Sequence, residues 1–289
     1  MNPLVLSIQS HVVHGVSGNR SAVLPLEVNG ITTDPLNTVH FSTHTGYQIV
    51  RGTKMSISEF DEIINGLRSS NILGKYTHIL SGYIGDPHII DGILKLRNEL
   101  GKQVHYYCDP VLGDWGEFYV SPECLEIIQT KLVPVANTVS PNTYEAEWIT
   151  GIKMDDQSCL INIVDALHKM GPENVIITST EWKRRIIFFS FEYGKERIVI
   201  ETPSLDRQFD GPGDLFSALL LSNLINYPGE YTRIAERTVN SVFGVLSNTV
   251  QLNSNEISMA QSVRYMMDPP NQYKSMSIEE FFKLDINSK

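Results

Sequence analysis

The stretch Gly211-Pro212-Gly213-Asp214-Leu215-Phe216-Ser217-Ala218-Leu219-Leu220-Leu221 sets two glycines and a proline before an acidic residue and a run of helix formers. Glycine lets backbone approach a ligand closely, and proline is tolerated in the first helical turn, where an N–H has no partner. The spacing predicts a loop feeding a helix, with Gly211 as N-cap and Pro212 at the first helical position. The free N–H groups and positive dipole end of such a terminus suit phosphate. Asp214 then stands beside that phosphate position. A carboxylate there suits taking a proton from a hydroxyl that attacks the phosphate. The plainer alternative is that Asp214 complements the dipole and the glycines shape a loop. Taken alone, the stretch leaves both open.

Outward from it, strands and helices alternate. Leu4 to Gln9 is a short apolar run opening into Ser10-His11, and a helix follows from Gly18 to Val28. Asn37 to Ser42 alternates as a second strand. Ser56-Ile57-Ser58-Glu59 has capping-box spacing for a helix through Leu67. Thr77 to Gly82 is the next strand, and Asp86-Pro87 starts a helix that Gly101 stops. Gln103 to Cys108 is a strand ending in Asp109. Further on come a helix from Ser121-Pro122, a short strand over Asn137 to Ser140, and a helix from Asn142 closed by Gly151. A helix over 158–170 precedes the strand Asn174 to Ser179, and 185–191 with 197–200 reads as an antiparallel hairpin. Thr232 to Gln251 is one long helix, and Ser277 caps a last short one. This order predicts an α/β fold. Its mostly parallel sheet has helices on both faces and an antiparallel edge hairpin, in one domain over 1–289. Ligands bind such sheets beyond the carboxyl ends of the strands. That rule gathers Ser10, Tyr83, Asp109, Ser140 to Asn142, Thr178 and Ser179 at one rim with Asp214.

Composition narrows the partners. The net charge of −10, without a basic block, lacks the footprint of nucleic-acid or anionic-membrane binding. No apolar run approaches a membrane span, and the first residues lack a basic region for a signal peptide. Three cysteines without C-x-x-C spacing fit a reducing compartment, so the cytoplasm is expected.

The phosphate motifs of the commonest nucleotide folds are missing: no G-x-x-x-x-G-K-[ST] occurs, and Gly211 and Gly213 lack the third glycine of G-x-G-x-x-G. Asp109-Pro110-Val111-Leu112-Gly113-Asp114 places two carboxylates around a loop, for a hard cation or simply as turn formers. Asn142 and Glu145 stand at capping-box spacing. The pairs His11/His14 and His40/His44 lack a third ligand and read as structural.

Together these pieces resemble the ribokinase-like kinase superfamily, and within it the pyridoxal kinases. The resemblance rests on Ser7-Ile8-Gln9-Ser10-His11-Val12 with Gly18-Asn19-Arg20, His44-Thr45-Gly46-Tyr47, Ser81-Gly82-Tyr83, Cys108 to Asp114, Ser140 to Glu147, Ile177-Thr178-Ser179 and Gly211 to Phe216. It implies ATP-dependent phosphorylation of the 5′-hydroxymethyl of pyridoxal, with Asp214 as base and Gly211 and Gly213 lining the anion hole. It implies that Ser10 meets the pyridine nitrogen and Thr45 the ring hydroxyl, with Val39, Phe41 and Tyr83 as walls. Asp109, Asn142, Glu145, Thr178 and Ser179 would surround ATP, under a flap over 113–120 that carries Tyr119. A divalent cation, Mg or Zn, would lie at Asp109, Asp114 and Glu145, with a monovalent K or Na beside it, in a homodimer. The alternatives are a hydroxymethylpyrimidine or sugar kinase on the same scaffold, or a non-catalytic pyridoxal phosphate binder. Pro212, Val16-Ser17 and a short flap depart from the family pattern.

Overall fold

The structure is a computed structural model that describes residues 2–182, 184–203, 205, 207 and 209–286. Strands β1 (Leu4–Val12), β2 (Thr32–Phe41), β3 (Gly52–Lys54), β4 (His78–Ser81) and β5 (His105–Cys108) precede a small hairpin of β6 (Gly113–Asp114) and β7 (Glu117–Phe118). Then follow β8 (Thr138–Val139), β9 (Asn174–Trp182), β10 (Arg184–Phe191), β11 (Glu196–Thr202) and β12 (Ser275–Ser277). The helices are α1 (Asn19–Val28), α2 (Ile57–Ser69), α3 (Pro87–Leu100), α4 (Pro122–Ile127), α5 (Thr143–Thr150), α6 (Gln157–Met170), α7 (Pro212–Asn226), α8 (Tyr231–Gln251), α9 (Val263–Met267) and α10 (Ile278–Ile286).

Among the described residues ten strands form one sheet in the order β12-β11-β10-β9-β8-β5-β4-β1-β2-β3. The run from β2 to β9 is parallel, and β9-β10-β11-β12 and β2-β3 are antiparallel. Alternation along the strands feeds two cores. Leu6 and Ile8 of β1, with Ile186 and Phe188 of β10, face a core shared with α2, α3, α5 and α6. Val5, Ile187 and Phe189 face the other, shared with α1, α7 and α8. Helix α7 is buried along nearly its whole length, from Leu215 to Asn223. An apolar girdle of that kind belongs inside a protein, so the helix that starts at the glycine stretch cannot shift without repacking a core.

Local signals set the boundaries. Ser56 and Glu59 form the expected capping box of α2, at 3.2 Å for Glu59 N–H to Ser56 Oγ and 2.7 Å for the return bond. Asp86 Oδ1 accepts from His88 N–H at 2.8 Å, with Pro87 in the first turn of α3. Gly151 closes α5 in the left-handed region at φ 72°. The hairpin of β10 and β11 stands as expected, and it continues into β12, which sequence reading left out. Strand β2 begins at Thr32, earlier than predicted, because Pro35 is tolerated there. Beside Pro35, β2 pairs with β1 alone, since β3 reaches only Val39 to Phe41. No helix of the described residues is long and apolar enough to cross a membrane.

Arg97 of α3, only 5% exposed, ties the end of that helix to the segments leading into β5 and β8. Its guanidinium donates to the carbonyls of Val135 (3.3 Å) and Gly101 and to Asn137 Oδ1 (3.3 Å), and that oxygen also accepts from Tyr106 N–H at 2.9 Å. Removing it takes the donor from the Val135 carbonyl and one of two donors from the Gly101 carbonyl and from Asn137 Oδ1. Arg97→Ala is expected to lower unfolding free energy by about 2–4 kcal/mol in urea denaturation. A loss below about 0.5 kcal/mol would show that water replaces the guanidinium there.

Candidate active site

The loop between β1 and α1 meets the start of α7. Gly18 caps α1 at φ 56°, and a Cβ there would lie 2.2 Å from the carbonyl oxygen of Ser10. Its N–H donates to Asp214 Oδ2 at 2.7 Å. Gly211 caps α7 at φ 79°, where a Cβ would lie 2.1 Å from the carbonyl oxygen of Val16, and its own carbonyl accepts from Ser21 Oγ at 3.2 Å. Both glycines are therefore fixed by contact as well as by φ. Pro212 occupies the first turn of α7 as predicted, where its missing N–H costs no helical bond. Gly213 is exposed, so the terminus opens outward. Burial pushes the Asp214 carboxyl up to about 6, and the Gly18 N–H limits the rise.

Asp109, 7% exposed, follows β5 and accepts a 2.6 Å hydrogen bond from Ser217 Oγ, one turn into α7. Burial pushes its carboxyl up to about 7; the Ser217 hydroxyl opposes this and the Asp214 charge adds to it. None of the ion pairs among the described residues reaches Asp109 or Asp214.

Glu145 and Asn142 form the capping box of α5 and do more than cap. Glu145, 4% exposed, accepts from the N–H groups of Leu112 (2.9 Å), Gly113 (3.4 Å) and Asn142 (2.9 Å). Asn142 Oδ1 accepts from Glu145 N–H at 2.9 Å, and Asn142 Nδ2 donates to the carbonyl of Gly113 at 2.8 Å. Burial and the Asp109 charge push the Glu145 carboxyl well above its ordinary range, against the three N–H groups. The pair thus clasps the loop after Asp109 to the start of α5. Asp114 lies beyond the clasp, where its Oδ1 accepts from Trp115 N–H at 2.9 Å.

The flap region is the β6–β7 hairpin, with Trp115 and Gly116 both at positive φ, as a tight two-residue turn requires. Phe118 stacks on Trp148 of α5 with ring centroids 3.9 Å apart. Tyr119 is half-exposed; burial, then the charges of Asp114 and Asp210, raise its hydroxyl pKa. Thr178 and Ser179 lie within β9, as read, and the strand runs on past them to Trp182. Thr178 N–H donates to the Pro141 carbonyl at 3.1 Å, and the Ser179 carbonyl accepts from Thr143 Oγ1.

On the other flank, Ser10 sits opposite a β-bulge: between Gln9↔Asn37 and His11↔His40, Thr38 and Val39 face Ser10 alone. Bulges of this kind re-aim side chains. Thr38 Oγ1 donates to the Tyr83 carbonyl at 3.2 Å, so Val39, Phe41 and Tyr83 border the same end of β1. Thr45 is exposed in the loop after β2.

Sequence reading missed Ser217, one turn beyond Asp214, and Glu256, whose contacts are 209 to 240 residues away in the chain. It also grouped Asp109, Asp114 and Glu145 as one metal set. Among the described residues no three His, Cys, Asp or Glu side chains gather as a metal group. Asp109 is a buried carboxylate with a single hydroxyl for company. A cavity of about 700 Å³ lies elsewhere, lined by Glu192, Tyr231, Arg233 and Lys274, and gathers none of these residues.

A sequence model of the phosphomethylpyrimidine kinase family matches residues 75–254. Pyridoxal kinase of Homo sapiens is 36% identical over 92% of this chain and 95% of its own length. Pyridoxal kinase of Arabidopsis thaliana is 36% identical over 94% and 93%. Among solved structures, the pyridoxal kinase of Leishmania donovani in complex with ADP and pyridoxamine superposes with a TM-score of 0.89 at 27% identity, covering 95% of this chain and 99% of its own. That of Trypanosoma brucei gives 0.85 at 30% identity, with 95% and 99% covered.

Asp109 offers a test of the site's charge state. Its folded pKa, about 7, exceeds the unfolded value, so the folded protein keeps a proton that the unfolded chain has lost between about pH 4 and 7. Stability from this group is complete below that window and is lost as pH rises through it. Asp109→Asn is always neutral, so ligand-free Asp109→Asn is expected to gain roughly 2–4 kcal/mol over wild type between pH 4 and 8 in denaturation series. A difference independent of pH would place the Asp109 pKa in the ordinary range.

Proposed function

The chain belongs to the pyridoxal kinase family of the ribokinase-like superfamily, and we propose that its cleft transfers a phosphoryl group from ATP to the 5′-hydroxymethyl of pyridoxal. Pyridoxine and pyridoxamine belong to the same substrate class. The observation that carries the assignment of roles is the 2.7 Å bond from Gly18 N–H to Asp214 at an open helix terminus. It aims one carboxylate, its pKa raised to about 6, at the place where phosphate is best received. The raised value puts the base near working pH, where general-base catalysis is efficient.

Asp214 takes the proton of the 5′-hydroxyl as its oxygen attacks the γ-phosphorus. The bond to ADP then breaks, and the N–H groups of Gly211, Gly213 and Asp214 receive the transferring oxygens. Asp109 would hold a divalent cation, Mg or Zn, beside the bound nucleotide. When bound, such an ion neutralises phosphate charge and removes the burial penalty on Asp109. Asp114 is exposed enough to meet that cation from the flap side, and Glu145 acts on it through the clasp. A monovalent ion, K or Na, belongs to the same reading. Asn142, Thr178 and Ser179 surround the nucleotide, and Tyr119 on the hairpin covers it. Ser10, Val39, Phe41, Thr45 and Tyr83 hold the pyridine ring. We read residues 1–289 as one domain that works as a homodimer. A cytoplasmic location fits the three free cysteines.

The match to phosphomethylpyrimidine kinases favours one second reading, phosphorylation of hydroxymethylpyrimidine. The matched residues, 75–254, leave out Ser7 to Val12 and His44 to Tyr47, the segments beside the ring site. A coupled assay over pyridoxal, pyridoxine, pyridoxamine and hydroxymethylpyrimidine decides between them; product from the last alone rejects pyridoxal.

Asp214→Asn is expected to lower kcat about 10²–10⁴-fold while ATP affinity is kept, and to abolish the acid limb of the wild-type rate near pH 6. A variant above about a tenth of wild-type turnover returns Asp214 to dipole complementation. Pro212→Thr is expected to change turnover by less than about tenfold, because the first-turn N–H it restores is peripheral to those of Gly213 and Asp214. A hundredfold gain would show that the missing donor limits the enzyme.

A further inference from the structure

Residues Thr43 to Ile49 form a tip without regular structure after β2, exposed from Thr45 onward. Within the tip, Thr43 Oγ1 donates to the Ile49 carbonyl (3.1 Å) and Tyr47 N–H to the His44 carbonyl (3.2 Å). Among the described residues, the polar contacts that leave His44 through Tyr47 run to Glu256 and Asp210. The Tyr47 hydroxyl donates to Glu256 Oε1 at 2.7 Å, and His44 Nε2 meets the same oxygen at 3.1 Å. His44 Nδ1 accepts from Gly46 N–H at 3.2 Å, which assigns the proton to Nε2 and makes that nitrogen the donor. Asp210 Oδ2 lies further off, 3.7 Å from His44 Nε2.

The second oxygen of Glu256 accepts from Val16 N–H at 3.1 Å. Val16 is the residue whose carbonyl packs against Gly211, two positions before Gly18 and its bond to Asp214. A Cβ on Gly15 would lie 2.9 Å from His44 and 3.1 Å from Glu256, so the approach is close enough to require glycine at φ 97°. Glu256 is itself anchored. Ser254 Oγ donates to its carbonyl at 2.6 Å, and Ser258 N–H donates to Thr249 Oγ1 of α8 at 3.0 Å.

We propose that Glu256 is a positioning residue for the pyridine substrate: one carboxylate sets the tip that carries Thr45 in register with the loop that aims Asp214. The inference rests on the reading that Thr45 meets the ring hydroxyl. Thr45 has no rigid element of its own, so its position relative to Asp214 depends on this shared acceptor. A tip released from Glu256 samples more conformers, and ordering it must then be supplied by substrate binding. ATP, held from the other flank by residues of β5, β9 and α5, does not meet the tip.

Steady-state kinetics with pyridoxal and ATP varied separately test this. Glu256→Ala is expected to raise the pyridoxal KM about tenfold or more, with the ATP KM unchanged and kcat within about threefold. Glu256→Gln keeps one acceptor oxygen, enough for Tyr47 and His44, but turns an NH2 donor toward Val16 N–H, so it is expected to recover only part of the loss. Tyr47→Phe, which removes one exposed hydroxyl, is expected to raise the pyridoxal KM about threefold alone and to add nothing in the Glu256→Ala background. If Glu256→Ala does not fold, Tyr47→Phe and Glu256→Gln carry the decision. A pyridoxal KM that stays within about twofold of wild type, or ATP and pyridoxal KM values rising together, overturns the proposal. Wild-type protein without pyridoxal turnover overturns the functional reading instead, which keeps the two failures apart.

Discussion

One hydrogen bond, from Gly18 N–H to the Asp214 carboxylate at 2.7 Å, joins the first crossover of the fold to the start of a helix whose middle is buried. Two other contacts make that bond possible. The Ser10 carbonyl leaves no room for a side chain at Gly18, and the Val16 carbonyl leaves none at Gly211. The junction therefore tolerates little displacement. Helix α7 cannot slide because Leu215 to Asn223 are packed on all sides, and β1 cannot because it lies between β2 and β4. The Asp214 carboxylate is held by the interior of the protein rather than by a loop, which is what the proposed role as base requires.

A second constraint is electrostatic. Asp109, Asp214 and Glu145 stand at one end of the sheet, each with its carboxyl pKa raised by burial. Backbone N–H groups satisfy Glu145, and a single hydroxyl meets Asp109. The ligand-free cleft is thus short of positive charge, which suits the cation proposed for it. For Asn142 and Glu145 the capping and functional readings coincide: the same atoms that start α5 also fix the loop after Asp109.

Much of this was legible in the sequence, because the signals were local. Capping boxes at Ser56 and Asn142, the Asp86-Pro87 start and the Gly151 stop all act within a turn, and the structure places them as read. The polar residues after successive strands gave the rim. What escaped depends on distant partners. Strands β3 and β12 are three residues each, too short for a periodicity. The bulge opposite Ser10 is a property of two strands, not of one. Glu256 lies in a stretch with no pattern, and its partners are known only once the chain is folded. For Asp109, Asp114 and Glu145 the sequence could not say which oxygens the backbone claims: Glu145 accepts from three N–H groups, Asp109 from one hydroxyl.

The two short antiparallel strands at the ends of the sheet have a consequence for colloidal behaviour. A ten-stranded sheet with long open edges would offer a ladder of unpaired N–H and C=O groups on which another extended chain could grow. Here the outermost strands are three residues each, β3 exposed throughout and carrying Lys54, β12 running straight into α10, and the part of β2 that β3 leaves uncovered carries Pro35, which has no N–H to offer. Neither presents a flat apolar template. Resistance to edge-to-edge aggregation is thus built into the margins of the sheet, and it does not depend on whether the cleft is filled.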